Sequence, residues 1–133
     1  MAMTTELCVL VLSTLLLLAH VMVAIRYKTK QYGVDWNMGA RDEDLPPLNA
    51  VAGRLDRARG NFLETYPVAI VALLAVEITG KSSDITQIAA WTWLGARLVY
   101  LPLYWAGVPK VRTLVWGVAL LALLVLIGAV LVR

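Results

Sequence analysis

Arg57-Ala58-Arg59-Gly60-Asn61-Phe62-Leu63-Glu64-Thr65-Tyr66-Pro67 marks the point where a polar helix runs into an apolar one. Arg57, Asn61 and Glu64 stand at i, i+4 and i+7. At 3.6 residues per turn they share one helix face. Val68 then begins an apolar segment. Charged groups beside a bilayer core are costly and need partners, water or a ligand. A face that offers a cation, an amide and a carboxylate suits a small zwitterionic molecule at the membrane surface.

The surroundings of this stretch are strongly apolar. Of 133 residues, 60% are hydrophobic, and the mean hydropathy is +0.74. Soluble domains average about 45–50% apolar residues. The excess here is concentrated in blocks, as in membrane spans. The length allows one small integral membrane domain over residues 1–133. The net charge of +3 does not point to nucleic acid, because the basic residues cluster in loops beside the apolar blocks.

Four spans are expected, at about 6–25, 50–78, 85–106 and 112–132, giving an all-α, up-down four-transmembrane-helix bundle. The second is expected to begin as an amphipathic helix and to project from the bilayer at its N-terminal end. A polar loop is expected over 26–49, where Asp42, Glu43 and Asp44 precede Pro46-Pro47 and argue against continuous helix. Ser83 or Asp84 is the expected N-cap of the third span. Nine cations (Arg26, Lys28, Lys30, Arg41, Arg54, Arg57, Arg59, Lys110, Arg112) stand on one side of the spans, against Lys81 and Arg133 on the other. The positive-inside rule then puts loop 26–49 in the cytoplasm and both termini opposite.

The third span supplies a second polar face. Arg97, Tyr100 and Tyr104 fall at i, i+3 and i+7, so a cation and two phenols share one side. An arginine at mid-span costs about 2.5–3.5 kcal/mol on insertion scales. It must face the bundle interior, and Glu64 is its expected partner. Arg112, followed by Thr113, opens the fourth span on the side of Arg57. Each residue alone has an ordinary structural reading. Arg57, Arg59 and Arg112 fit interfacial cations with stems in lipid, Arg97 with Glu64 a register-setting ion pair, and the tyrosines belt aromatics. Two matched polar faces near one membrane surface favour a site.

Arg-x-x-x-Asn-x-x-Glu-x-x-Pro in span two, followed by Arg-x-x-Tyr-x-x-x-Tyr in span three, resembles the MAPEG superfamily, the membrane-associated proteins in eicosanoid and glutathione metabolism. The resemblance covers nearly the whole chain and looks most like the bacterial branch. It implies a homotrimer in the bacterial inner membrane, with glutathione bound between subunits near the cytoplasmic side. It implies glutathione contacts from Arg57, Asn61, Glu64, Arg97, Tyr100 and Tyr104, and less directly from Arg26, the basic residue ending span one. Arg112 would face the thiol and stabilise the thiolate, with Tyr104 or Thr113 adding a hydrogen bond. The implied activity is a glutathione-dependent transferase or peroxidase acting on lipophilic electrophiles. Arg is suited to the ligand's two carboxylates, Glu64 to its α-amino group, and a cation near sulfur to its thiolate. No metal is implied. The sequence departs from the family pattern at Gly60, basic in some members, at Arg59, where others carry Gln or His, and at Pro102 between the tyrosines.

The remaining candidates read as structural. Cys8, the lone cysteine, is expected to be a small buried hydrophobe. His20 lacks a second ligand at i+3 or i+4 and is expected to hydrogen-bond between helices. Glu77 is expected to reach interfacial water or Lys81. Trp91, Trp93, Trp105 and Trp116 are expected to anchor span ends. A non-catalytic lipid-binding or partner-presenting protein is the alternative function on this fold. A small multidrug exporter ranks lower, because it needs a free acid in mid-span and Glu6 lies at the edge of span one.

Overall fold

Helix breakers and caps explain where each helix of this chain starts and stops. The structure, a computed structural model, describes residues 2–132; Arg133, counted above among the far-side cations, lies outside them. Helix α1 (Thr5–Tyr32) begins at Thr4, whose side chain accepts from the Leu7 N–H. It does not end at Ile25, where the polar loop was expected. Residues 26–32 contain neither Gly nor Pro, so nothing stops the helix before Gly33, which has φ 101°. A second departure is the short helix α2 (Val34–Met38) within the expected loop. Asn49 caps α3 (Ala50–Thr79) by accepting from Ala52 N. Ser83 and Thr86 form a reciprocal capping box at the start of α4 (Asp84–Ala106). Helix α5 (Pro109–Leu131) starts at its proline, three residues before the expected Arg112, because a first-turn position loses nothing by lacking an N–H. Gly80 and Gly107 close α3 and α4 with φ of 67° and 77°, a region where a side chain is strained.

Contacts between helix ends give the topology. Thr4 donates to Glu77, and Ser82 donates to Glu6, so α1 starts where α3 ends. Arg54 Nε donates to Trp105 O at 3.0 Å, so α3 starts where α4 ends. Lys81 Nζ donates to Val130 O and Val132 O at 2.8 and 2.7 Å, so α5 ends where α4 starts. Neighbours therefore alternate in direction. Helix α1 packs chiefly on α3, and α4 on α5, with α3 touching both α4 and α5.

The core combines small residues with aromatic rings. Ala52, Ala58, Ala69, Ala72 and Ala90 are buried and let backbones approach closely, as at membrane helix interfaces. Phe62 and Tyr66 of α3 pack together with ring centroids 4.8 Å apart. Trp93 lies 6.3 Å from Tyr66 in a near-parallel stack. Trp93 is thus a core residue, 1% exposed, and not an interfacial anchor. His20 is also corrected: it is fully buried, neither ring nitrogen has a partner among the described residues, and it stacks on Phe62 at 4.9 Å. It packs as a ring and does not bridge helices by a hydrogen bond. Cys8 is only partly buried. Glu77 accepts from Thr4, and among the described residues it is not ion-paired with Lys81, whose ammonium is taken by the carbonyls ending α5.

Outside this core the surface is apolar. Leu15, Met22, Val71, Ile88, Leu121 and Leu124 are all exposed, an arrangement expected of lipid contact and not of water. Among the described residues, α1, α3 and α5 are long and apolar enough to cross a membrane, which fits an integral membrane protein. Helix α4 is outside that set: its 23 residues include Asp84, Gln87 and Arg97.

Candidate functional site

Helix α3 turns its polar stretch so that the three residues quoted first have different depths. Phe62 and Ala58 define its inward face. Asn61 is about 100° around from Phe62 and Glu64 about 200°, at 100° per residue. Asn61 is accordingly half-buried at the flank, while Arg57 and Glu64 are exposed. Among the described residues, neither Arg57 nor Glu64 has a hydrogen-bond or ion-pair partner through its side chain.

The second polar face meets the flank of the first. Arg97 of α4 is 1% exposed. Its Nη1 donates to Asn61 Oδ1 at 3.0 Å. Its guanidinium lies 4.3 Å from the Tyr100 ring and 5.2 Å from the Phe62 ring, within cation–π range. The expected Arg97–Glu64 ion pair does not form, since Glu64 points away from the bundle. Arg97 Nε and Nη2 have no partner among the described residues.

Helix α5 completes the cluster. Arg112 Nη1 donates to Tyr100 Oη at 3.2 Å, and its guanidinium covers the Tyr104 ring at 4.5 Å. Tyr100 and Tyr104 meet edge to face at 5.6 Å. One connected chain therefore runs Asn61, Arg97, Tyr100, Arg112, Tyr104. Thr113, beside Arg112, turns back to its own helix and donates to Pro109 O at 3.4 Å.

A family model described as the MAPEG family matches residues 4–132. The chain belongs to the MAPEG family. No curated protein and no solved structure matches it.

The residues named from the MAPEG resemblance fall into three layers. Arg57 and Glu64 are exposed, Asn61, Tyr104 and Arg112 are half-buried, and Arg97 and Tyr100 are covered. Tyr100 was expected to flank a ligand, yet it is 0% exposed in the chain. Its rim is taken up by the two arginines and Tyr104. Arg26 is exposed on α1 and is not joined to this chain of contacts.

Sequence reasoning missed three polar residues that fix the ends of the bundle. Asp56 accepts from Arg59 at 2.9 Å and Lys28 at 2.6 Å, tying α1 to α3. The Asp56–Arg59 spacing of three was a visible signal, but the Lys28 contact needs the packing. Arg54, counted only as an orienting cation, holds the α4 end through Trp105 O. Glu6, assigned to a span edge, is fully buried and accepts from Ser82 Oγ and Thr86 Oγ1.

Proposed function

We propose that this MAPEG protein binds glutathione and activates its thiol for attack on a lipophilic electrophile or peroxide. The observation that carries this reading is the exposed pair Arg57 and Glu64, unpartnered beside the chain from Asn61 to Arg112. A cation and a carboxylate left open on one face of a membrane helix match a ligand that carries both charges. In this reading Arg57 takes a carboxylate of glutathione and Glu64 its ammonium. Asn61 donates from its amide, and Tyr104 packs against the peptide. Arg112 is held on the Tyr104 ring and bonded to Tyr100. It supplies the positive charge that lowers a thiol's pKa from its ordinary value near 8.5. The thiolate is the nucleophile. Its proton goes to water, and an apolar substrate reaches it from the lipid.

The same proposal includes four spans and assembly as a trimer. Helix α4 runs the whole length between α3 and α5, from the end marked by Lys81 to the end marked by Arg54. At 1.5 Å per residue its length is about 35 Å, enough for a hydrocarbon core of about 30 Å. The open charges of Arg57 and Glu64 are consistent with a ligand seated between subunits.

Calorimetry of glutathione binding to the detergent-purified protein tests the reading, with Arg57→Ala and Glu64→Ala alongside. Binding by the wild type and its loss in both variants is the expected result. A folded wild type that binds no glutathione sinks the proposal and promotes the lipid-binding alternative on the same fold.

A further inference from the structure

We propose that Arg97 is a positioning residue that works through Asn61 and Tyr100 and never touches the ligand. The inference rests on the glutathione reading above and deepens it.

Three observations carry it. First, Arg97 is 1% exposed, so it has no surface to offer. Second, guanidinium is a donor only, with no acceptor atom. Arg97 Nη1 lies 3.0 Å from the Asn61 side chain, and that atom must therefore be the amide oxygen. The Asn61 NH2 group is then not used by Arg97, and Asn61 shares a helix side with Arg57 and Glu64. An asparagine amide is otherwise free to flip, and its two ends carry opposite polarity. Arg97 thus makes Asn61 a donor at the ligand face. It selects a carboxylate or carbonyl oxygen there and rejects an ammonium group.

Third, the same guanidinium lies 4.3 Å over the Tyr100 ring. Tyr100 Oη accepts from Arg112 Nη1 at 3.2 Å. Arg112 is likewise donor-only, so this contact holds its fork in one orientation over Tyr104. Arg97 therefore braces both sides of the site from behind. No carboxylate pairs with it among the described residues. A residue kept only for stability would more often be an apolar one here, since a buried charge costs more than a packed side chain of its size.

The test is calorimetric titration of glutathione into detergent-purified wild type, Arg97→Met, Arg97→Lys, Asn61→Ala and Arg97→Met/Asn61→Ala. Thermal melts are recorded on each. Arg97→Met should weaken binding about tenfold, the order expected for an oriented hydrogen bond to a charged ligand. Its melting temperature should hold or rise. Arg97→Lys keeps a donor-only cation and should restore most of the affinity. In the Asn61→Ala background, Arg97→Met should cost distinctly less than in the wild type, because the amide it orients is gone and only the route through Tyr100 remains. A lower melting temperature in step with weaker binding would assign Arg97 a structural role only and overturn the inference. So would unchanged affinity in Arg97→Met, or losses that multiply fully with those of Asn61→Ala. If Arg97→Met does not fold, Asn61→Asp replaces it. A carboxylate keeps the Arg97 contact but has no N–H, so affinity should fall as far; unchanged affinity overturns the inference. Wild type that binds no glutathione overturns the function reading and this inference together. Wild type that binds while the variants bind equally overturns this inference alone.

Discussion

Replacing Glu6 by Leu should loosen the end of the bundle farthest from the candidate site. The Glu6 carboxylate is fully buried. Its Oε1 accepts from Thr86 Oγ1 at 2.6 Å and Ser82 Oγ at 2.9 Å, and its Oε2 lies 3.0 Å from the same Ser82 oxygen. One serine has one proton, so these contacts amount to two charge-assisted bonds. Bonds of that kind contribute about 1.5–3 kcal/mol each. Two terms reduce the loss. Thr86 can turn to Ser83 O, 3.0 Å away. The substitution also removes a desolvated charge, which by itself is stabilising. The net cost should be about 1–3 kcal/mol. Glu6→Gln keeps an acceptor and should cost about 1 kcal/mol. The assay is equilibrium unfolding in mixed micelles, driven by a denaturing detergent and followed by circular dichroism and tryptophan emission. A cycle with Thr86→Val should show a coupling of about 1 kcal/mol. A Glu6→Leu protein that unfolds at the wild-type midpoint, or a cycle that is strictly additive, would refute the reasoning.

Three further outcomes follow from the packing. Trp93→Ala removes the ring stacked on Tyr66 and should cost about 3–5 kcal/mol; a melting temperature within a degree of wild type would contradict its place in the core. Tyr66→Phe breaks the 2.7 Å contact with Ser13 Oγ, but Ser13 keeps its bond to Leu10 O. The loss should be only about 0.6 kcal/mol, measured in the same micelle titration, and a loss several times larger would mean the pair is buried without that fallback. Gly107→Ala forces a Cβ onto a residue at φ 77° and within 3.4 Å of Arg54 Nε. It should destabilise by about 1–2 kcal/mol through the left-handed backbone and leave the Arg54 bond to Trp105 O in place; a melt equal to wild type counts against that turn conformation.

Much of the architecture was legible in the residues themselves. Apolar blocks and the cap at Ser83 are local signals, and local backbone chemistry is enough to place such helix ends. The error in the first loop had the same origin in reverse. Residues 26–32 are polar, and polarity points to loop, yet a polar segment without a breaker can continue a helix beyond the membrane. The two polar faces were also legible, because helical period fixes which residues share a side.

The partners within the bundle were not legible. Period places Asn61 and Glu64 on one broad face of α3, but it says nothing of how that helix is rotated against α4. Packing of Ala58, Phe62 and Tyr66 against the core sets the rotation. It brings Asn61 to Arg97 and sends Glu64 outward. Packing also leaves His20 stacked on Phe62 with no hydrogen-bond partner among the described residues and buries Glu6 against the start of α4. Sequence alone determined the four long helices, their order and the chemistry each face carries. Only the tertiary structure decided which charges are buried, which are braced and which stay open, because that depends on the relative rotation and height of whole helices. Those are fixed by the summed packing of residues far apart in the chain.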